Sequence, residues 1–463
     1  MIKSGCLKER VGMEPLMFSV SGVRGVVGEV LTPEVLSKFA AAYGTFVKSG
    51  RVVVGTDSRL SREMCRHSVF AGLISLGCEV IDVGIVPTPT IQLMIERLKA
   101  AGGIAITASH NPANWNALKF FTREGVFLNS RQFSGLLDIY RQEKIKRTSW
   151  DNLLNKVRED SSSISTHIGI ILNYLDVELI RRKRFRVALD CVNGAGSVIT
   201  PIFLRKLGCR VMSINRQVNE PFPHTPEPLP GNLSGLSSLV KQKRADIGFA
   251  QDPDADRLAI ISENGVPLGE EYSVALAVQF VLGKKKGTVV VNLSTSRMID
   301  DIARKFKSRV VRTKIGEINV VEGMKRHRAI IGGEGNGGVI DPRAHYGRDS
   351  LAGMGLILQY LAESGERIST LAESIPRYYL VKRKIGCPED KKKKVLETME
   401  RKFAGEKLDR RDGIKVIRES SWVHIRLSGT EPVIRVFAEA RTAKEAKGIV
   451  NSILKKIKEI TTG

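Results

Sequence analysis

One unit recurs along this chain: an apolar β-branched run, a polar or Gly-bearing turn, a helical stretch and a second apolar run. It appears over residues 51–83 (VVVGTDSR, then SVFAGLISLGCEVIDVG), over 186–214 (VALDCVNGAG, then ITPIFLRKLGCRVMSI) and over 288–311 (VVVNLSTS, then MIDDIARKFKSRVV). Continuous apolar strands alternating with amphipathic helices build mixed, mostly parallel sheets in α/β layers. Three copies therefore predict three related α/β domains. A length of 463 residues agrees, because one hydrophobic core rarely serves more than roughly 250–300 residues. From about Tyr378 the rhythm changes to a basic segment, a helical KKVLETMERKFAG, strands near 413–417 and 422–427, and a last helix after Thr442. That pattern predicts a small C-terminal α+β domain with antiparallel strands. Polar and Gly/Pro interruptions divide the chain into 1–163, 164–265, 266–375 and 376–463.

The charge balance asks for an anionic partner, since 73 Lys and Arg stand against 49 Asp and Glu, a net +24. The cations are scattered, with short runs only at 181–184, 284–286 and 391–394, and aromatics make up 6%. No basic stripe interleaved with aromatics is visible, which argues against a nucleic-acid reader and for a basic surface that steers phosphorylated small molecules. Six widely spaced cysteines lack any C-x-x-C pair and read as reduced thiols. No stretch approaches the roughly 18 apolar residues of a membrane span, and residues 1–20 lack a continuous apolar run. The expectation is a cytoplasmic protein with no membrane or nucleic-acid partner, a monomer or homodimer.

Four loops carry the chemistry. Thr107-Ala108-Ser109-His110-Asn111-Pro112 follows the apolar Gly102–Ile106, and a Ser just beyond a buried strand, in a polar turn ending in Pro, is held out at a loop apex. That suits a nucleophile or phosphoryl carrier, with His110 beside it. The chain's Ser lacks the G-x-S-x-G elbow of a hydrolase. Asp252-Pro253-Asp254-Ala255-Asp256-Arg257 places three carboxylates at alternate positions, hard oxygen ligands suited to Mg²⁺. A Ca²⁺-binding EF-hand loop is disfavoured, because Arg257 stands where that loop needs Gly and strands flank it.

The third loop, 332–338 (GGEGNGG), lies between apolar runs. Its glycines let the backbone approach a ligand while Glu334 and Asn336 can bond sugar hydroxyls, although a plain Gly-rich hairpin turn has the same composition. The fourth, Arg426-Leu427-Ser428-Gly429-Thr430-Glu431-Pro432 with Arg435 beyond it, offers hydroxyls, a Gly amide and two guanidinium forks, a cradle for a phosphate dianion. Together they describe phosphoryl transfer on a sugar phosphate, which needs positioning and charge neutralisation above all.

With these motifs in this order, T-A-S-H-N-P, D-x-D-x-D-R, G-G-E-x-N-G and R-x-S-G-T-E-P, the sequence resembles the α-D-phosphohexomutase superfamily over nearly its whole length. The resemblance implies a heart-shaped arrangement of three α/β domains and a C-terminal domain around a central cleft. It implies a mutase that interconverts 6-phospho and 1-phospho hexoses through phosphorylated Ser109 and a bisphosphate intermediate. Mg²⁺ would be held by the Ser109 phosphate and by Asp252, Asp254 and Asp256, with Arg257 neutralising the phosphoryl group. Lys119, in Asn116-Ala117-Leu118-Lys119, matches the family's general acid or base, and Arg24, in Ser21-Gly22-Val23-Arg24-Gly25, its N-terminal arginine. A hexose 1,6-bisphosphate would be the activator.

Several residues depart from the common pattern: Val20 for Thr, Trp115 for Tyr, Ala117 for Gly, and Gly338 where many relatives place His. Thr313-Lys314-Ile315-Gly316-Glu317 has Glu after Gly where phosphomannomutase/phosphoglucomutase enzymes carry His. With GGEGNGGVI and HYGRD at 345–349, this is similar to bacterial phosphoglucosamine mutases and points to glucosamine phosphate, with glucose or mannose phosphate next. A non-catalytic sugar-phosphate binding protein is the reading from another class, and the retention of Ser109, Lys119 and all three aspartates argues against it.

Overall fold

The computed structural model describes residues 16–153, 156–428 and 432–462. Each repeated unit is a parallel β-α-β: Val52–Thr56, Arg62–Ile74 and Val80–Ile85; Arg186–Asp190, Gly196–Lys206 and Arg210–Ile214; Thr288–Asn292, Met298–Lys305 and Arg309–Thr313. The lead strands are apolar on both faces because helices cover both sides, and Val52–Val54, Val187–Leu189 and Val289–Val291 are fully buried. The helix Met298–Lys305 turns Met298, Ile299, Ile302 and Ala303 inward. Its Asp300 and Asp301 lie in the first turn and Arg304 and Lys305 in the last, complementing the helix dipole.

To each parallel pair the chain adds one antiparallel hairpin, and each hairpin turn carries a motif. Gly102–Ile106 returns as Trp115–Phe121 around Ser109, Ile247–Gln251 as Leu258–Ile261 around the aspartates, and Ile331–Glu334 as Gly338–Ile340 around Asn336. In all three cases the first hairpin strand runs parallel beside the lead strand. The turns therefore open at the carboxyl ends of parallel strands, where α/β sheets place ligands.

The second and third sheets are mostly parallel, as expected. The seven-stranded first sheet is evenly mixed, because Met17–Ser19 and Gly22–Val26 extend its antiparallel half beyond Trp115–Phe121. The C-terminal sheet is antiparallel, in the order Tyr379–Gly386, Val433–Ala440, Trp422–Leu427, Ile414–Ile417, Lys407–Asp409, and is packed by Glu389–Lys402 and Ala443–Thr462. The basic segment after Tyr378 is itself an edge strand, Tyr379–Gly386, and its consecutive Lys382, Arg383 and Lys384 interrupt any apolar alternation.

One continuous core, from Ile168 to Ile375, serves both the second and third sheets. A second core joins Val53 and Phe121 of the first sheet and Ile91 of the helix Thr88–Arg97 to Val290 and Ile340 of the third sheet and Met324 of the helix Glu317–His327, while the C-terminal sheet keeps its own. The aspartate-bearing and Gly-rich hairpins are tied by a backbone bond, Leu258 N to Gly337 O at 3.0 Å. Among the described residues no helix is long and apolar enough to cross a membrane, and Cys65, Cys78, Cys191, Cys209 and Cys387 are buried free thiols.

Phe203, fully buried in the shared core, tests this coupling. Phe203→Ala should destabilise that core by about 3–5 kcal/mol, and amide exchange should speed up together in Ile247–Gln251 and Thr288–Asn292.

Candidate active site

Ser109 sits at a left-handed position, φ +49°, which a serine adopts only where its surroundings enforce it. The enforcing residue is Arg59, itself buried. Its guanidinium donates to the carbonyl oxygens of Ser109, Asn111 (2.9 Å), Pro112 (2.6 Å) and Trp115 (3.0 Å), and its Nε to Asp57 Oδ2 (3.0 Å). Thr107 Oγ1 donates to the same Asp57 oxygen (2.6 Å) and accepts from Ser109 N (3.0 Å). The clamp turns Ser109 Oγ toward Asp252 Oδ2, 2.8 Å away. His110 Nδ1 lies 3.4 Å from that Oγ. Burial, then Arg257 and Arg24, hold the His110 ring well below its ordinary pKa, so it is neutral; although its side chain is 30% exposed, the two cations act in the same direction.

The three aspartates converge as expected, with ligand oxygens within 4.8 Å of one another. Asp254 Oδ2 accepts from Lys119 Nζ (2.6 Å) and Thr88 Oγ1 (2.5 Å), Asp256 Oδ2 from Arg348 Nη2 (2.6 Å), and Asp252 Oδ1 from Arg257 N (3.1 Å). Lys119 also stands 3.8 Å from Asp256, and Arg257 Nε 3.9 Å from Asp252. Burial, then repulsion from Asp256 and Asp254, pushes the Asp252 carboxyl well above its ordinary value, and burial raises Asp256. Burial works upward most strongly on Asp254, but the charge and hydrogen bond of Lys119, with the hydrogen bonds from Thr88 and Asp252, together bring the net shift down. Asp254 Oδ1 and Asp256 Oδ1 are buried without a hydrogen-bond partner. An all-oxygen set with two unsatisfied oxygens fits a hard divalent cation.

These loops face one cleft of about 570 Å³, lined by Arg24, Ser109, His110, Lys119, Arg257, Glu334, Asn336 and Arg435. Arg24 reaches Asn111 Oδ1 at 3.2 Å. Glu334 accepts from Asn292 Nδ2 (2.8 Å), Gly316 N (3.1 Å) and Arg348 Nη1 (3.2 Å), and Asn336 Oδ1 from Gly338 N (3.3 Å). The Gly-rich loop is thus a plain hairpin turn and a wall of the cleft at once. Arg426 is drawn toward Asp412, Nε to Oδ1 at 3.4 Å, and lies in register beside Arg435. Ser428 is buried, its amide bonded to Val433 O at 3.0 Å. Gly429 and Thr430 lie outside the described residues. Glu317 lines the cleft, but its oxygens accept from Gln92 Nε2 (3.2 Å) and Arg348 Nε (2.8 Å).

Sequence reasoning passed over Arg348, Arg59, Thr88 and Glu271. Arg348 joins Asp256, Glu317 and Glu334. Its neighbour Asp349 caps the helix Ser350–Ser364 and binds His167 Nε2 (2.9 Å), which pins Arg348 against the Gly-rich hairpin. Gly338 leaves room for it, since a Cβ there would lie 2.2 Å from Arg348 Cδ, so any side chain at 338 would displace Arg348. The signals were present in GTDSR and HYGRD, but nothing local says that these arginines point inward. Glu271 accepts from Ser296 N (2.9 Å), leaves Oε1 buried without a hydrogen-bond partner, and is pushed by burial up to about 8.

Family models of phosphoglucomutase/phosphomannomutase match the chain in sequence: alpha/beta/alpha domain I over residues 15–147, domain II over 165–265, domain III over 269–379 and the C-terminal domain over 384–456. The chain is 40% identical to "Phosphoglucomutase/phosphomannomutase" of Thermococcus kodakarensis, covering 96% of this chain and 99% of that one. It is 35% identical to "Probable phosphoglucosamine mutase" of Methanopyrus kandleri, covering 93% and 95%. It is 34% identical to "Phosphoglucosamine/phosphogalactosamine mutase" of Sulfurisphaera tokodaii, covering 96% and 99%. Its fold matches that of a phosphoglucomutase/phosphomannomutase family protein from Burkholderia thailandensis with TM-score 0.81 at 24% identity, over 96% and 98% of the two chains. It also matches N-acetylphosphoglucosamine mutase of Aspergillus fumigatus, with TM-score 0.59 at 14% identity, over 97% and 96%.

Two outcomes follow from this geometry. A divalent cation at about 100 times its Kd should stabilise the protein by about 2.7 kcal/mol, read as a rise in Tm that Asp254→Asn and Asp256→Asn abolish. Glu271, raised from 4.5 to about 8 in the folded chain, binds its proton more tightly folded than unfolded. Its contribution is full below pH 4.5 and lost as pH rises through 8, so Glu271→Gln should flatten the fall in Tm over that window.

Proposed function

The chain belongs to the phosphoglucomutase/phosphomannomutase family, and from that premise we propose that it interconverts 6-phospho and 1-phospho hexoses through phosphorylated Ser109, with glucosamine phosphate as the preferred substrate. The observation that carries the reading is Ser109 Oγ, held at a left-handed apex 2.8 Å from Asp252, in a cleft that Lys384 and Arg435 also line.

In this reading Ser109 carries the phosphoryl group. A sugar hydroxyl oxygen forms a bond to phosphorus as the bond to Ser109 Oγ breaks, and the hydroxyl proton leaves for a base while Oγ regains one. Lys119, beside Asp254 and Asp256, exchanges that proton; the neutral ring of His110 is a second acceptor within reach of Oγ. A divalent cation, Mg²⁺ in this reading, would be held by Asp252, Asp254, Asp256 and the Ser109 phosphate and would supply positive charge to the transferring oxygens. Arg257 and Arg24 add fixed cations, which cost no reorganisation as charge develops. Glu334 uses three of roughly four lone-pair sites internally, leaving capacity for a sugar hydroxyl, with Asn336 adjacent. Arg435, Arg426, Ser428, Gly429 and Thr430 would grip the phosphate that is not reacting. That anchor must accept either end of the hexose 1,6-bisphosphate, which also serves as activator.

Glucosamine is supported by Glu317 in place of histidine and by relatives bearing that name. Glucose or mannose phosphate is the competing preference, favoured by the relative at 40% identity and by the engagement of both Glu317 oxygens. Measuring kcat/KM for glucosamine, glucose and mannose phosphates, with Mg²⁺ and trace bisphosphate, separates them. Ser109→Ala should lower kcat/KM by about 10³-fold or more and remove the phosphorylated species seen by intact mass. Full activity in that variant would sink the phosphoserine mechanism.

A further inference from the structure

The phosphate anchor and the sugar-facing wall of the cleft belong to different sheets, and one carboxylate touches both. Asp412 stands in the turn between Lys407–Asp409 and Ile414–Ile417. Its Oδ1 lies 3.4 Å from Arg426 Nε, and its Oδ2 accepts from Ile315 N at 3.0 Å. Ile315, Gly316 and Glu317 line the cleft. From Ile315 the bonding continues: Gly316 N donates to Glu334, Glu334 accepts from Arg348, and Arg348 donates to Asp256. A contiguous path thus runs from the anchor, across the sugar wall, to the metal loop.

The turn is built to hold Asp412 in place. Gly413 has φ +72°, and a Cβ there would lie 2.3 Å from Ile425 O, so the turn packs flat on the strand that delivers Arg426. The Asp412 carbonyl accepts from His424 Nε2 at 2.5 Å, while His424 Nδ1 lies 2.8 Å from Ser294 Oγ in the cleft wall. Burial keeps His424 neutral, down at about 4, so with Nε2 donating, Nδ1 accepts from Ser294. Both the backbone and the side chain of Asp412 are therefore anchored across the joint.

We infer that Asp412 is a positioning residue that fixes Arg426 and the 313–317 loop in one mutual geometry, so that gripping a phosphate and reading the sugar are set by the same joint. The inference rests on the sugar-phosphate reading above. It predicts that the two halves of Asp412 are separable: the charge facing Arg426 serves phosphate binding, and the oxygen facing Ile315 serves sugar discrimination.

Asp412→Asn keeps an oxygen for Ile315 N and removes the charge, whereas Asp412→Ala removes both. The assay is kcat and KM on glucosamine 6-phosphate and glucose 6-phosphate, with Mg²⁺ and trace glucose 1,6-bisphosphate, together with amide exchange over 313–317. Asp412→Asn should raise KM for both sugars while keeping the wild-type ratio of kcat/KM and wild-type exchange. Asp412→Ala should raise KM by about 10-fold, narrow the ratio between sugars at least about threefold, and speed exchange over 313–317. The inference is overturned if Asp412→Ala leaves that exchange at the wild-type rate, or if both variants keep the same sugar ratio. Wild type inactive on both sugars would instead count against the proposed function, and the exchange comparison would still decide the role of Asp412.

Discussion

Three buried carboxylates within 4.8 Å of one another impose terms on everything around them. Stripped of water, such a group of charges is tolerable only if cations or strong donors reach it from outside its own loop. They come from distant segments: Lys119 from the first sheet, Arg348 from beyond the third, Thr88 from the helix Thr88–Arg97. The aspartate loop is consequently the meeting point that brings three sheets into contact. The two oxygens left without hydrogen bonds leave this set able to take a further cation.

The same economy shapes the architecture. A parallel pair with one added hairpin occurs three times, and each time the hairpin turn is the chemically loaded segment. A turn at the carboxyl end of buried parallel strands is exposed to the cleft while its stems stay rigid, so reactive groups gain access without losing position. Arg59 gives the clearest case: a loop with no regular structure is immobilised by four carbonyl bonds to a single guanidinium.

Much of this was readable beforehand, for identifiable reasons. The strands at Val52–Thr56, Arg186–Asp190 and Thr288–Asn292 declare themselves by β-branched apolar runs, a signal that survives without tertiary context. Ser109 and Lys119 both line the cleft and hydrogen-bond to the aspartate loop, through Asp252 and Asp254. The Tyr379–Gly386 strand did not declare itself, because Lys382, Arg383 and Lys384 stand in succession and leave no alternation to read. Arg348 and Arg59 were illegible as site residues: an arginine in a loop reads as solvated, and only the packed fold shows that each is buried among acceptors. Glu317 shows the opposite limit, since its identity pointed to an amino sugar while its two oxygens serve Gln92 and Arg348.

Gly338 carries an implication for descent. Its missing side chain and the Arg348 side chain occupy the same space, so the two positions cannot change independently. Any side chain at 338 would have to displace Arg348, and displacing it would weaken the pairs to Asp256, Glu317 and Glu334 together. The glycine and the arginine thus behave as one unit, in which an empty space at 338 is the condition for a cation that serves three carboxylates at once.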